Sequence, residues 1–214
     1  VDLVGDDPAD WTRRDVDLTG IADLFPEDPE PEFVDVNRLN VAVVTLQENN
    51  HIVLVDLPTG NVLSDFNCGG PDLDQIDTLE NGLIEQTSSL DAVPREPDAV
   101  AWTSAFTFAT ADEGDLFGGS RGFTDWAGFG LPLFEAGNTI EHLTARIGHY
   151  PEERSENKGN EPEGAEYGVY GPFARFLFIG SERSSVVLVY RMVPTLIPGV
   201  SMPMFVQVLP AGVG

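Results

Sequence analysis

Acidic side chains recur at a fixed spacing in this sequence, and they are the residues best suited to chemistry. Glu30-Pro31-Glu32, Glu96-Pro97-Asp98 and Glu161-Pro162-Glu163 lie 66 and 65 residues apart. Each leads into an apolar run that ends in further acids: Glu48 beside Asn49 in the first, Asp112, Glu113 and Asp115 in the second, Glu182 in the third. From the Glu of the Glu-Pro pair to these acids is 18, 17 and 21 residues, taking Glu113 in the second. Carboxylates gathered from separate repeats repel one another, and a cation relieves that repulsion. Hard divalent cations prefer such all-oxygen donors, with six to eight of them around calcium. Glu48, Glu96, Asp98, Asp112, Glu113, Asp115, Glu161 and Glu163 are therefore candidate ligands for Ca²⁺, with Mg²⁺ as the alternative. Zinc is disfavoured, because the donors include no cysteine and no histidine pair. Ala111-Asp112-Glu113-Gly114-Asp115 is the densest group, and it lacks the loop length and closing Glu of an EF-hand.

Basic residues are scarce: Lys plus Arg is 11 against 36 Asp plus Glu, a net charge of −25. Arg95, Arg121, Arg146, Arg154 and Arg183 lie close to acids or to His149 in sequence. A guanidinium recognises phosphate bidentately, and metals neutralise phosphoryl oxygens and activate water. Glu182 and Arg183 are thus the candidate catalytic pair for a phosphoester substrate. The opposing reading makes each Arg the ion-pair partner of a neighbouring carboxylate. His142 and His149, seven apart on a candidate helix, are read as packing residues. No G-x-S-x-G, P-loop or H-E-x-x-H sequence occurs, so any catalysis must be metal-assisted.

The charge also limits the partners. Eleven basic residues in so acidic a chain would not hold a nucleic-acid backbone. No run approaches 18 apolar residues, so no membrane span is predicted. With 42% hydrophobic residues the chain is not a charge-expanded coil. Cys68 is the single cysteine; it forms no intrachain disulfide and is read as a loop residue.

The elements that position the acids read as strands. In the first repeat EFVDV, LNVAVVTLQ, HIVLVDL and NVLSDFN follow one another, with Pro58-Thr59-Gly60 as a turn. The unbroken apolar character of VAVVTL and IVLV predicts strands covered on both faces. Four short antiparallel strands in about 40 residues make one blade of a β-propeller. The expected fold is all-β, about three blades of a larger ring, with residues 1–29 as a lead-in and 30–214 as the partial propeller. A β-sandwich is the rival reading. Short helices are expected in the inserts at 72–90, where Leu73, Ile76, Leu79, Leu83 and Ile84 are helically spaced, and at 138–146. GFTDWAGFGLPLFEAG and Met192 to Phe205 stand out as apolar inserts, each a candidate interaction surface or simply a packed loop.

Residues 1–10 lack the basic start and apolar core of a signal peptide. A strand at Phe205 to Leu209 closes the third repeat just before Gly214. Three blades do not close a ring. The remaining blades are expected from further chain, a second fragment or another copy, and the isolated chain is not expected to be a stable monomer.

TLQENNHIVLVDL, VPREPDAV, FATADEGD, HLTARIGHYPEERSENKGNEPEGAEYG, IGSERSSVVLVY and QVLPAGVG together resemble the phytase-like propeller called the choice-of-anchor I domain, over about residues 30–214. That family occurs in secreted or surface-anchored proteins, many labelled alkaline phosphatase. It also occurs in a mesenchyme-specific cell-surface glycoprotein linked with calcium-carbonate biomineralisation. The resemblance implies an extracellular or cell-surface location and a propeller that continues beyond the QVLPAGVG segment. It implies one of two activities: a metal-dependent phosphomonoesterase, or a non-catalytic calcium-binding surface or matrix protein. A structural subunit of a larger assembly is compatible with both.

Overall fold

The structure, a computed structural model, describes residues 5–114 and 116–212. Three four-stranded antiparallel sheets follow one another along the chain, each built strictly in chain order. Sheet 1 comprises β1 (Pro31–Val36), β2 (Val41–Leu46), β3 (His51–Asp56) and β4 (Asn61–Asn67). A two-stranded sheet of β5 (Leu73–Ile76) and β6 (Ser88–Leu90) intervenes. Sheet 2 comprises β7 (Pro97–Trp102), β8 (Thr107–Asp112), β9 (Gly122–Ala127) and β10 (Leu131–Glu135). After α1 (Thr139–Arg146), sheet 3 comprises β11 (Pro162–Tyr170), β12 (Ala174–Ser181), β13 (Val186–Pro194) and β14 (Ser201–Pro210).

Burial follows composition. The β-branched runs of β2 and β3 are buried almost throughout, as their apolar continuity predicts. In β4, Val62, Ser64 and Phe66 turn inward while the alternate residues are exposed, the period-two pattern of an edge strand. Pro58-Thr59-Gly60 makes the β3–β4 turn: the Asp56 carboxylate accepts the Thr59 N–H at 3.1 Å, and Gly60 supplies φ +75°.

The sheets pack face to face. Val43, Ile52 and Leu54 of sheet 1 meet Val100, Trp102, Phe108 and Trp126 of sheet 2, with Cys68 among them. Ala109 and Phe123 of sheet 2 meet Ile140 of α1 and Leu177, Ile179, Leu188 and Tyr190 of sheet 3. The lead-in covers the far face of sheet 1, where Val16, Leu18 and Ile21 pack on Ala42, Leu46, Val53 and Val55. The far face of sheet 3, with Tyr170, Phe176, Phe178, Val206 and Leu209, lines a shallow apolar groove.

The leading strands are the inner ones: β7 lies against both β1 and β11. Polar bonds tie the sheets at this seam. Thr45 Oγ1 donates to the Asp98 carbonyl at 2.6 Å, and Trp102 N–H donates to Asp35 Oδ2 at 2.7 Å.

Two expectations are corrected. Residues 72–90 contain no helix; Leu79, Leu83 and Ile84 are exposed between β5 and β6. Local side-chain bonds outcompete the helical spacing there. Asp77 accepts the N–H groups of Leu79 and Glu85, Asn81 accepts that of Leu83, and Gly82 breaks the run at φ +81°. GFTDWAGFGLPLFEAG is not an insert: it supplies β9 and β10 of sheet 2. The helix expected at 138–146 is present as α1.

Candidate metal centre where the three sheets meet

The spacing of the acids becomes a register in the sheets. Each first-to-second strand ladder opens with the proline of a Glu-Pro pair: Pro31 faces Leu46, Pro97 faces Asp112, and Pro162 faces Ser181. A bulge follows each proline, which is reasonable because proline donates no ladder hydrogen bond. Three sets of equivalent positions result. Glu30, Glu96 and Glu161 precede the prolines; Glu32, Asp98 and Glu163 follow them; Gln47, Glu113 and Glu182 leave the second strands. All nine sit at one end of the inner strands.

The acids before the prolines are anchored. Glu96 is buried and accepts the N–H groups of Leu116 and Phe117, both at 3.3 Å. Glu161 is buried and accepts from Arg154 Nε at 2.6 Å and Arg183 Nε at 3.3 Å. Both hold a left-handed backbone, φ 43° and 45°, a strained state for a non-glycine residue. Glu30 donates its N–H to Asn49 Oδ1, whose amide also binds the Leu24, Phe25 and Asp28 carbonyls. Asn49 thus ties the lead-in to sheet 1.

The acids after the prolines face like charges. Burial raises Asp98 to about 6, helped by Glu113 and Glu32 and opposed by Lys158. Burial raises Glu163 further, to about 8, reinforced by a hydrogen bond shared with Glu182 and by the charges of Glu113, Glu182 and Asp98. Glu113 is buried between sheets; it accepts from Gln47 Nε2 at 2.5 Å and Lys158 Nζ at 2.9 Å. Carboxylate oxygens of Glu113, Glu161 and Glu163 lie within 4.8 Å of one another. These three are the group among the described residues that could hold a metal ion.

Of the eight predicted ligands, Glu113, Glu161 and Glu163 therefore come together, with Asp98 in electrostatic reach. Asp112 points elsewhere: its carboxylate lies between Thr110 Oγ1 at 2.6 Å and Thr124 Oγ1 at 2.5 Å, and burial raises it to about 7. Glu96 faces the loop after β8. Glu48 lies in the β2–β3 turn, one residue past the position equivalent to Glu113. Asp115 lies outside the described residues. Glu182 and Arg183 flank the cluster, their side chains about half exposed and 3.4 Å apart.

Gln47 and Lys158 escaped the sequence reading. Gln47 is the neutral member of its equivalent set, visible once the ladders are aligned. Lys158 is the only lysine in the chain. The remaining candidates are engaged in packing. Arg121 is buried, donating to Glu141 at 3.2 Å and to the Asp77 and Ser155 carbonyls at 2.6 Å each. Arg95 binds Glu135 and the Cys68 carbonyl, and its guanidinium lies 5.2 Å from the Trp126 ring centre. His142 and His149 each meet a backbone carbonyl, Gln75 at 2.7 Å and Ser184 at 3.0 Å. Cys68 is buried, which pushes its thiol well above the usual range.

The molecule is thus an all-β protein of antiparallel sheets, with carboxylates from sheets 2 and 3 meeting at the inner seam. A family model for the choice-of-anchor I domain matches residues 115–195, from the loop after β8 through β13. The search of curated proteins found no match. Among solved structures, Hsv2 of Kluyveromyces lactis aligns with 87% of this chain and 49% of its own, at 10% identity and TM-score 0.42. A Bacteroides uniformis protein named as a candidate 6-phosphogluconolactonase aligns with 88% of this chain and 57% of its own, at 12% identity and TM-score 0.33. The chain spans about half the length of these structures.

Proposed function

We propose that this chain is part of an extracellular or cell-surface propeller that binds a divalent cation, Ca²⁺ in preference to Mg²⁺, at the seam of its sheets. The observation that carries this reading is the approach of Glu113, Glu161 and Glu163 to within 4.8 Å from two different sheets. The donors are all carboxylates, a set that suits a hard cation. Glu163, otherwise held protonated to about pH 8, would be freed to ionise by a cation. Asp98 and Glu182 supply further oxygens at the margin. Gln47, Lys158, Arg154 and Arg183 orient Glu113 and Glu161 from behind. The matched domain family supports a surface location.

A second reading, metal-assisted hydrolysis of a phosphomonoester, is favoured by one feature. Arg183 bridges Glu161 and Glu182 and keeps 46% of its side chain exposed. A phosphoryl group at the cluster would meet this guanidinium, and Glu182 would orient it. A bound cation would neutralise phosphoryl oxygens; this chain's own residues bind and position the ester. The apolar far face of sheet 3 is where remaining blades, a second fragment or another copy would pack. The domain limits proposed are 1–29 for the lead-in and 30–214 for the propeller part.

The test is calorimetric titration of chelator-treated protein with Ca²⁺, run beside turnover of a chromogenic phosphomonoester. Calcium uptake that Glu161→Gln with Glu163→Gln removes supports the cation reading. Absence of uptake refutes it. Uptake without turnover retains the non-catalytic function and dismisses the hydrolase.

A further inference from the structure

A second site lies at the other end of the same inner strands. A cavity of about 680 Å³ opens between the end of β1, the β7–β8 turn, β11–β12 and the β13–β14 hairpin. Its volume is within the range of small-molecule sites, about 300–1,000 Å³. The glutamate cluster sits at residues 96–98 and 161–163, whereas the cavity is reached at residues 102–105 and 167–175. At roughly 3.3 Å per strand residue the two sites stand about 15–20 Å apart, so one small ligand does not serve both.

The cavity's charge is opposite to that of the protein. Arg38 and Arg175 both line it. Among the described residues neither guanidinium has a carboxylate within ion-pair distance, in a chain carrying 36 acids. Asp35 is the acid in the lining, and its two oxygens accept the backbone N–H groups of Val36 and Trp102, both at 2.7 Å. It serves the sheet seam and does not act as a counterion. Arg175 stands close enough to the Tyr167 phenol to offset part of the rise that burial imposes on it. The remaining wall is mixed: Trp102, Tyr167, Ile197 and Val200 supply its apolar part, beside hydroxyl-bearing Thr103 and Ser104. The β13–β14 hairpin, the apolar insert that stood out in the sequence, forms one side and reaches back to sheet 2. A side chain built at Gly199 would stand 3.9 Å from Phe106.

From this juxtaposition of two guanidinium groups lacking carboxylate partners with a partly apolar wall, we infer that the cavity binds an organic anion, one carboxylate, sulfate or phosphate group joined to an apolar ring or chain. Arg38 and Arg175 hold the anionic group, for which a planar guanidinium fork is well suited. The walls built by Trp102 and the hairpin cover the apolar body. The site does not depend on the cation cluster.

The probe is 2-naphthoate, titrated calorimetrically into the full chain in excess chelator, with neutral 2-naphthylmethanol as comparison. One-to-one binding of naphthoate is expected, at least tenfold tighter than the alcohol. Arg38→Gln with Arg175→Gln is expected to weaken it at least tenfold without lowering the melting temperature. Arg146→Gln with Arg191→Gln removes the same charge outside the cavity and is expected to leave the affinity within twofold. The inference is overturned by absence of saturable binding, by equal binding of the alcohol, or by equal losses in the two double variants. Glu161→Gln with Glu163→Gln, which tests the cation cluster, should leave naphthoate binding unchanged.

Discussion

Glu163→Gln should change the sign of its effect with the cation. Without metal, Glu163 is held at about 8 against an ordinary 4.5. A carboxyl raised on folding contributes its stability below the unfolded value, and loses it as pH rises from about 4.5 through 8. At pH 7 that loss converts to roughly 3 kcal/mol at 1.36 kcal/mol per pH unit. The side chain is partly exposed, and solvent screening reduces the figure to about 1.5 kcal/mol. Glutamine cannot ionise and can still donate to Glu182. In chelator at pH 7 the variant should therefore melt about 3–6 °C above wild type, at 2–4 °C per kcal/mol for a chain of this size. At pH 5 the two should nearly coincide. With Ca²⁺ at 100 times its Kd, wild type gains about 2.7 kcal/mol. The variant forfeits most of this and should then melt below wild type. Scanning calorimetry in chelator and in calcium reads both comparisons. A variant shifted in the same direction under both conditions would refute the reasoning.

Other perturbations test the frame around the cluster. Asp112→Asn should gain stability over wild type between pH 5 and pH 8, because the buried carboxyl, at about 7, loses its folded-state advantage over that interval; urea unfolding at the two pH values measures it. Arg121→Ala should cost about 3–5 kcal/mol by leaving Glu141 buried without its partner, read in the same denaturation experiment. Asp35→Ala should cost about 1–3 kcal/mol by orphaning the Trp102 N–H at the seam, with a shift in tryptophan emission as a local readout. Deleting residues 1–29 uncovers Ala42, Leu46, Val53 and Val55, and light scattering should then report self-association.

Strands were legible wherever composition and period agreed. The Glu-Pro pairs marked the leading strand of each sheet because the apolar runs behind them are continuous, and the short helix expected at 138–146 is α1. Acid identity was a weaker guide than register. Counting to the nearest acid selected Glu48, whereas the ladders pair Pro31 with Leu46 and Pro97 with Asp112, which makes Gln47 the equivalent of Glu113. Asp112 and Glu113 are adjacent in sequence, and the twofold period of a strand sends them to opposite faces, one to threonines and one to the seam. The first two strands of each sheet also vary in length, six residues each in β7 and β8 but nine and eight in β11 and β12, which stretches the third Glu-Pro-to-acid spacing, so spacing alone could not align the acids. The partners of Arg95 and Arg121 are carbonyls and side chains distant along the chain, which leave no trace in local sequence. In the 72–90 segment, short-range bonds from Asp77 and Asn81 overrode the apolar period after Ile76: Leu73 and Ile76 reach a small core with Val93, while Leu79, Leu83 and Ile84 stay exposed.

The most direct measurement of the central claim is anomalous scattering from crystals grown with Mn²⁺ as a reporter for the divalent site. The account predicts a peak bounded by the carboxylates of Glu113, Glu161 and Glu163 that Ca²⁺ displaces. Crystals with no peak at the seam, and Glu163 still hydrogen-bonded to Glu182, would contradict it.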